Sequence, residues 1–381
     1  MDFNWTPEQN KLKQQVIQFA QRELTSDVIK LDKEERFDYE AWQKCSELGL
    51  HGLTIPKEYG GRGLDILTAV CVLEGLGYGC QDNGLIFAIN AHLWACATPL
   101  LTFGSDAQKE QYLSKFSRGE WIGGHAITEA DSGSDVYAMQ ATAKQQGEHY
   151  ILNGRKTYVC NGDYADLIIV FANLDPDGRK QGVTAFLVEK NTPGLTLERH
   201  VSKMGVRTAM TGQITLEDCV IPLTNRLGKE GAGVTIFAHS MEWERGFILA
   251  SAVGTMQRLL EDCIRYARTR KQFGQSIGKF QLISEKLVEM KMRLETARAY
   301  LYKVAWLKSN RRMAVMEAAM AKLYISEAWV QTCLDAMQIH GGHGYLTESG
   351  LERQLRDALG SRIYSGTSEI QKTIISQFLG V

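Results

Sequence analysis

The chain has 381 residues, 44% hydrophobic and 23% charged, with a formal net charge of −1. That length and balance suit a globular protein of two or three domains with a substantial core. The near-neutral charge excludes bulk attraction to nucleic acid or to an anionic membrane. The eight cysteines are scattered with no C-x-x-C pair, which argues against a zinc site or a disulfide framework and fits a reducing cytoplasm. The N-terminal residues form no apolar h-region and have no basic transit character, so no export signal is expected.

In chain order, the helical period comes first. Leu12, Val16 and Phe19 recur at helical spacing, and Asp38 can cap the helix that leads to Trp42. Gly60-Gly61-Arg62-Gly63 breaks the chain before the next helix. The apolar stretch from Ile86 to Phe103 is interrupted by Asn90, His92, Thr98 and Pro99, and reads as a buried core helix. Near Trp121 the pattern changes. Tyr150-Ile151-Leu152, Asn153-Gly154 and Thr157-Tyr158-Val159 read as a hairpin with a type I′ turn at Asn-Gly. Leu167 to Phe171, Val183 to Val188 and Ile214 to Val220 are further predicted strands, and Asp175-Pro176-Asp177-Gly178 is a predicted turn. From Gly231 the helical period returns almost to Val381. The predicted domains are 1–120 (helical), 121–228 (β) and 229–381 (helical).

Ten residues, Ala126 to Asp135, are nearly all small or polar. Such a loop lets a flat ligand approach the backbone, whose N–H groups can cradle anionic oxygens. Alone, this composition would be a surface turn. A second stretch changes that reading: Gln338-Ile339-His340-Gly341-Gly342-His343-Gly344-Tyr345, then Arg356-Asp357 and Ile363-Tyr364-Ser365-Gly366-Thr367-Ser368-Glu369-Ile370-Gln371. Together these resemble the two signature regions of the acyl-CoA dehydrogenase superfamily of flavoenzymes. The resemblance runs from Asp2-Phe3 and Thr6-Pro7-Glu8-Gln9 through Pro56-Lys57-Glu58-Tyr59-Gly60-Gly61 to the C-terminus. It implies an α+β fold: an N-terminal helical domain, a central β domain and a C-terminal four-helix bundle. It also implies FAD, a homo-oligomer (a tetramer) and an oxidoreductase.

No G-x-G-x-x-G follows a strand, which argues against a Rossmann nicotinamide site. The resemblance implies that His125, Ala126, Ile127, Thr128, Gly133 and Ser134 border the isoalloxazine. Tyr158, Val159 and Cys160 would form the second flavin loop, with the Tyr158 ring against the flavin. Cys160 stands where the family usually has Ser or Thr, and a thiol is the weaker donor. Arg270, Gln272, Phe273, Phe280 and Gln281 resemble the segment that reaches the FAD of a neighbouring subunit. Arg suits bidentate recognition of its pyrophosphate. Gln338, Ile339, Gly341 and Gly342 resemble the loop that meets the adenylate half, and Thr367 and Glu369 complete the cofactor contacts. His340 and His343 flank a Gly pair without an accompanying carboxylate or thiolate, so no metal site is read there.

Oxidising a thioester between Cα and Cβ needs a base at Cα and a hydride acceptor at Cβ. Many family members carry the base as Glu in Tyr-Glu-Gly-Thr; this chain has Tyr364-Ser365-Gly366-Thr367. A lone Ser is no base near neutral pH. Isovaleryl-type and long-chain relatives place the Glu before an Arg on an earlier helix, and here the run is Met241-Glu242-Trp243-Glu244-Arg245. Phe237, Met241, Glu244, Ile248 and Ala252 share one helical stripe, whereas Glu242 lies roughly 200° away. Glu244 is therefore the expected base, with Arg245 orienting it. Ser134, Met241, Ser365 and Gly366 are the expected substrate contacts.

Asp2-Phe3-Asn4, Ala91-His92, Ala95-Cys96-Ala97, Met241 with Trp243-Glu244-Arg245, and Ile363 to Ser368 resemble one branch, the prolyl-carrier-protein dehydrogenases of pyrrole, prodiginine and anatoxin-type biosynthesis. The implied substrate is L-proline thioesterified to an acyl or peptidyl carrier protein. Because such carriers are acidic, a basic rim is expected, and Lys308, Arg311 and Arg312 are its candidates. Two rival readings stand beside this one: an isovaleryl-type acyl-CoA dehydrogenase with the same relocated base, and an inactive carrier-binding relative.

Overall fold

The computed structural model describes residues 5–175, 182–198 and 201–381. Asp2-Phe3-Asn4 and Pro176-Asp177-Gly178 lie outside the described residues. The N-terminal helices are α1 (Pro7–Glu23), α2 (Val28–Glu34), α3 (Tyr39–Glu47), α4 (Ile66–Gly79), α5 (Asn83–Ala91), α6 (Thr98–Phe103) and α7 (Asp106–Ser117). Their starts follow local chemistry. Thr6 and Gln9 form a capping box on α1, and the Asp38 side chain accepts from Ala41 N at the start of α3. A π-helical turn at His92–Ala97 joins α5 to α6. The resulting helix, Asn83–Phe103, has a mean hydropathy of 1.5, and 89% of its apolar window is buried inside the protein. It is apolar enough to cross a membrane, but its apolar surface is spent on the core, as the sequence led us to expect.

The strands are β1 (Gly123–Ala126), β2 (Thr142–Gln146), β3 (His149–Cys160), β4 (Leu167–Asn173), β5 (Val183–Glu189), β6 (Leu195–Glu198), β7 (Thr211–Pro222) and β8 (Arg226–Leu227). Seven of them run in the order β6-β7-β3-β1-β4-β5-β8, and β2 pairs with both β3 and β4, folding the sheet back on itself. Every residue of β4 is buried because both its faces are covered. Leu167, Ile169 and Phe171 pack with Leu100, Phe116 and Phe237 of the helices. Ile168, Val170 and Ala172 pack with Tyr150, Leu152 and Ile214 inside the folded sheet.

Asn153-Gly154 is not a hairpin turn. β3 runs straight through it, and the pairing with β7 shifts register between Leu152 and Gly154, where Gly154 has φ +140°. The pair marks a β-bulge, the other use of a permissive glycine in a strand. The hairpin lies one turn earlier, between β2 and β3, where Gln146 pairs with His149 across Gly147-Glu148 and Gly147 has φ +57°. The short strands β1, β2, β6 and β8 are not among the predicted ones, being two to five residues each and weakly alternating.

Helices return with α8 (Gly233–Phe247) and α9 (Ala250–Thr269), followed by a small hairpin of β9 (Lys271–Gln272) and β10 (Gln275–Ser276). The chain ends with α10 (Gln281–Ser309), α11 (Val315–His340), α12 (Leu351–Gly360) and α13 (Ser368–Leu379). α11 is the hub, packing on α8, α9, α10, α12 and α13, while α9 also packs on α4. The expected stripe on α8 ends early: the helix breaks at Ile248-Leu249, so Ala252 belongs to α9. Helices, a β domain, then helices is the expected fold class.

Candidate active site

The loop after β1 is built around a buried ion pair. Lys156 Nζ donates to Glu129 Oε1 at 2.7 Å and to Ile127 O at 3.2 Å. Glu129 also accepts from Gln140 N at 2.6 Å and Ala141 N at 2.9 Å. Glu129 and Ser132 bond to each other through their backbones, closing a tight turn. This anchoring leaves Gly133 and Ser134 exposed, with nothing within 4 Å of a Cβ built on Gly133. Ala126 and Ile127 are buried, and Thr128 is half-buried. The His125 ring sits against Phe171 and Phe237, its Nε2 buried without a hydrogen-bond partner. Burial, then the charge on Lys156, lowers His125 to about 4, so the ring is neutral.

The end of β3 lies beside this loop, with Thr157 N donating to Thr128 O at 2.9 Å. A second register shift falls between Lys156 and Val159. Within it Tyr158 has φ +55° and its side chain is 67% exposed. A positive φ is uncommon for an aromatic residue and marks a position held for a reason. Tyr158 therefore does not pack on the β core. Val159 is buried, and Cys160 is raised to about 12 by burial and by the nearby Glu244 charge, so it stays a thiol. Asn161 Nδ2 ties the strand end to Gly123 O at 3.1 Å.

Opposite stands α8. Met241 is buried in the same cluster as Ile127 and Val136, which seats the helix against the loop. The two carboxylates of α8 have different surroundings. Glu242 Oε1 accepts from Ala314 N at 2.7 Å and pairs with Lys308 Nζ at 3.0 Å. Glu244 Oε1 accepts from Ser365 Oγ at 2.5 Å. Arg245 Nε donates to Ser365 O at 3.3 Å, and Lys322 Nζ donates to Gly366 O at 2.7 Å. Burial raises the Glu244 carboxyl above the usual carboxylate range, opposed by the Ser365 hydrogen bond, then by Arg245 and Lys322. Glu244, Arg245, Ser365 and Gly366 thus form one cluster, and Cys160 lies close enough to sense Glu244. Thr367 caps α13 through Ile370 N, and Glu369 is exposed in its first turn.

The remaining expected cofactor residues lie at the ends of the long helices. Arg270 ends α9, and Phe273-Gly274 turns the β9–β10 hairpin with φ +50° and +76°, leaving Phe273 93% exposed. Gln272 and Gln281 are exposed, and Phe280 packs edge-on to Phe273. Gln338, Gly341 and Gly342 are exposed at the end of α11, whereas Ile339 is buried.

Three family models cover most of the chain: the acyl-CoA dehydrogenase N-terminal domain at residues 6–120, the middle domain at 124–219 and the C-terminal domain at 231–380. The chain belongs to the acyl-CoA dehydrogenase family. Within this family it is 41% identical over 381 residues to the L-prolyl-(peptidyl-carrier protein) dehydrogenase of a Serratia species, covering 100% of this chain and 99% of that protein. It is 38% identical over 380 residues to the enzyme of that name from Pseudomonas fluorescens, covering 100% of both chains. Among solved structures, the prolyl acyl carrier protein oxidase AnaB is 62% identical with a TM-score of 0.98, over 99% of this chain and 100% of that one. PigA with FAD and proline is 41% identical with a TM-score of 0.97, over 100% of this chain and 99% of that one.

In this acyl-CoA dehydrogenase family member, three roles were not assigned from sequence. Lys156 and Glu129 anchor the loop, and Lys322 holds Gly366. Only Lys322 carried a local signal, a single charge in the run Ala318-Ala319-Met320-Ala321-Lys322-Leu323-Tyr324-Ile325; Lys156 follows Arg155 and Glu129 precedes Asp131, so nothing local marked them as buried. Lys308 needs correcting as a carrier-facing cation. It is spent on Glu242 and lies over the Trp243 ring at 4.6 Å; only Arg311 and Arg312 of that run are exposed.

Proposed function

We propose that the protein is an FAD-dependent dehydrogenase that oxidises the L-prolyl thioester of an acyl or peptidyl carrier protein to a dehydroprolyl (pyrroline) or pyrrole thioester. One observation carries this reading: Glu244 meets Ser365, while Glu242 is committed to Lys308. The position that holds Glu in many relatives is thus filled by a hydroxyl that hydrogen-bonds to a carboxylate on α8. Loss of Glu at 365 therefore gives no support to an inactive relative.

The residues present fit FAD. Gly133 leaves an open face in the loop after β1, Tyr158 holds an exposed ring on the strand end bonded to that loop through Thr157 N and Thr128 O, and His125 Nε2 is buried without a hydrogen-bond partner. His125, Ala126, Ile127, Thr128, Gly133, Ser134, Tyr158, Val159, Cys160, Thr367 and Glu369 would hold it in one subunit. Arg270, Gln272, Phe273, Phe280, Gln281, Gln338, Ile339, Gly341 and Gly342 would reach the FAD of a neighbour in a homotetramer. When bound, FAD supplies the acceptor for the hydride from Cβ. Glu244 takes the proton from Cα, which the thioester carbonyl acidifies, and its raised pKa favours that transfer near neutrality. Arg245 and Ser365 keep the carboxylate in place. The ring then tautomerises or is oxidised again. All eight cysteines are free, in keeping with a cytoplasmic enzyme.

Glu244→Gln is expected to keep fold and bound FAD and to lose at least roughly 100-fold in rate, the lower end for a general base. Near-normal turnover in Glu244→Gln, with Glu242→Gln inactive, would overturn the assignment.

A further inference from the structure

Lys322 is fully buried in α11, preceded by Ala318, Ala319 and Ala321, and forms no ion pair among the described residues. Burying a cation with no carboxylate in direct ion-pair contact is costly and points to a role beyond packing. Its Nζ donates to Gly366 O at 2.7 Å. Ser365 and Gly366 both have positive φ, +58° and +87°. For Ser that conformation is strained and persists only where the surroundings over-determine it. Here they do. Ser365 O accepts from Arg245 Nε at 3.3 Å and from Gln371 Nε2 at 3.2 Å, and Gly366 O accepts from Gln371 Nε2 at 2.8 Å as well as from Lys322.

On the reading of Glu244 as base, we infer that Lys322 is its positioning residue: by gripping Gly366 it fixes the Ser365 turn and so keeps Ser365 Oγ on the Glu244 carboxylate. The charged groups facing Lys322 are Arg245 and Glu244 from α8, Glu327 further along α11 and Glu369 from α13. Burial, then Arg245, lowers Lys322 to about 7. Below that pH its charge favours the ionised form of Glu244.

The test is made on the FAD-loaded enzyme with prolyl-loaded carrier protein. Lys322→Met should retain FAD and lose roughly 10- to 100-fold in kcat, the scale of a misplaced catalytic group. The acid limb of its kcat/KM profile should move to higher pH, because Glu244 loses a neighbouring cation. Lys322→Gln keeps an N–H donor for Gly366 O without the charge, so it should recover most of the rate but keep the displaced limb. Added to Ser365→Ala, Lys322→Met should cost little more, since both break one link. A parent kcat with a parent acid limb, or full additivity with Ser365→Ala, overturns the role. If Lys322→Met is recovered unfolded, the limb of Lys322→Gln alone and its additivity with Ser365→Ala decide in the same way. Glu244→Gln run alongside separates the failures. If it is active, the base reading falls; if it is inactive and the Lys322 variants behave as parent, only the Lys322 role falls.

Discussion

Ser365 and Glu244 lie 121 positions apart in sequence and share one hydrogen bond. That contact makes Ser365 a sensitive position. Ser365→Glu would set a second carboxylate against Glu244, and two like charges sharing a site raise the pKa of at least one. The larger side chain would also crowd the space beside the substrate ring. The expected outcome is loss of prolyl turnover with FAD content unchanged, read by assay and by flavin absorbance. Parent turnover in Ser365→Glu would make Ser365 a bystander. That Glu244 and Glu242 have different surroundings was legible in the helical period, because a face is set by residue spacing within one element. Lys322 was not legible in the same way. Its partner is a backbone carbonyl from a distant turn, and no local pattern encodes a contact across 44 positions.

At the scale of elements, long apolar and amphipathic segments read correctly because their period survives tertiary packing. The helix from Asn83 to Phe103 and the strands β4, β5 and β7 are examples. Asn153-Gly154 misled because the same dipeptide serves a turn and a bulge, and only the pairing of β3 with β7 distinguishes them. The Lys156–Glu129 pair joins two such elements, the loop after β1 and β3. Removing one partner of a buried ion pair leaves an uncompensated charge and costs about 3–5 kcal/mol. Lys156→Met is therefore expected to destabilise the fold by that order and to weaken FAD retention, since the loop of Gly133 and Ser134 loses its anchor. Denaturant midpoints and flavin content on gel filtration measure both. Lys156→Met combined with Glu129→Gln should recover part of the stability, because the stranded carboxylate is gone. Unchanged FAD affinity in Lys156→Met would detach the ion pair from the cofactor loop.

On the scale of the whole molecule, the residues proposed to hold FAD fall into two groups. One surrounds β1, β3 and α8; the other sits at the exposed ends of α9 and α11. Phe273 is 93% exposed and Tyr345 81% exposed at those ends. An FAD shared across a subunit interface accounts for both groups. A ligand bound only by the oligomer favours the oligomer by mass action, so stripping FAD should shift the protein toward smaller species in sedimentation. A monomer that binds FAD stoichiometrically with full affinity would contradict this.

The central claim, oxidation of a carrier-bound prolyl thioester, is tested most directly by mass spectrometry of prolyl-loaded carrier protein after incubation with the FAD-loaded enzyme, with isovaleryl-CoA run in parallel. The expected result is a loss of two or four hydrogens from the prolyl group, absent with Glu244→Gln, and no comparable turnover of isovaleryl-CoA. An unchanged prolyl mass beside rapid oxidation of isovaleryl-CoA would contradict it.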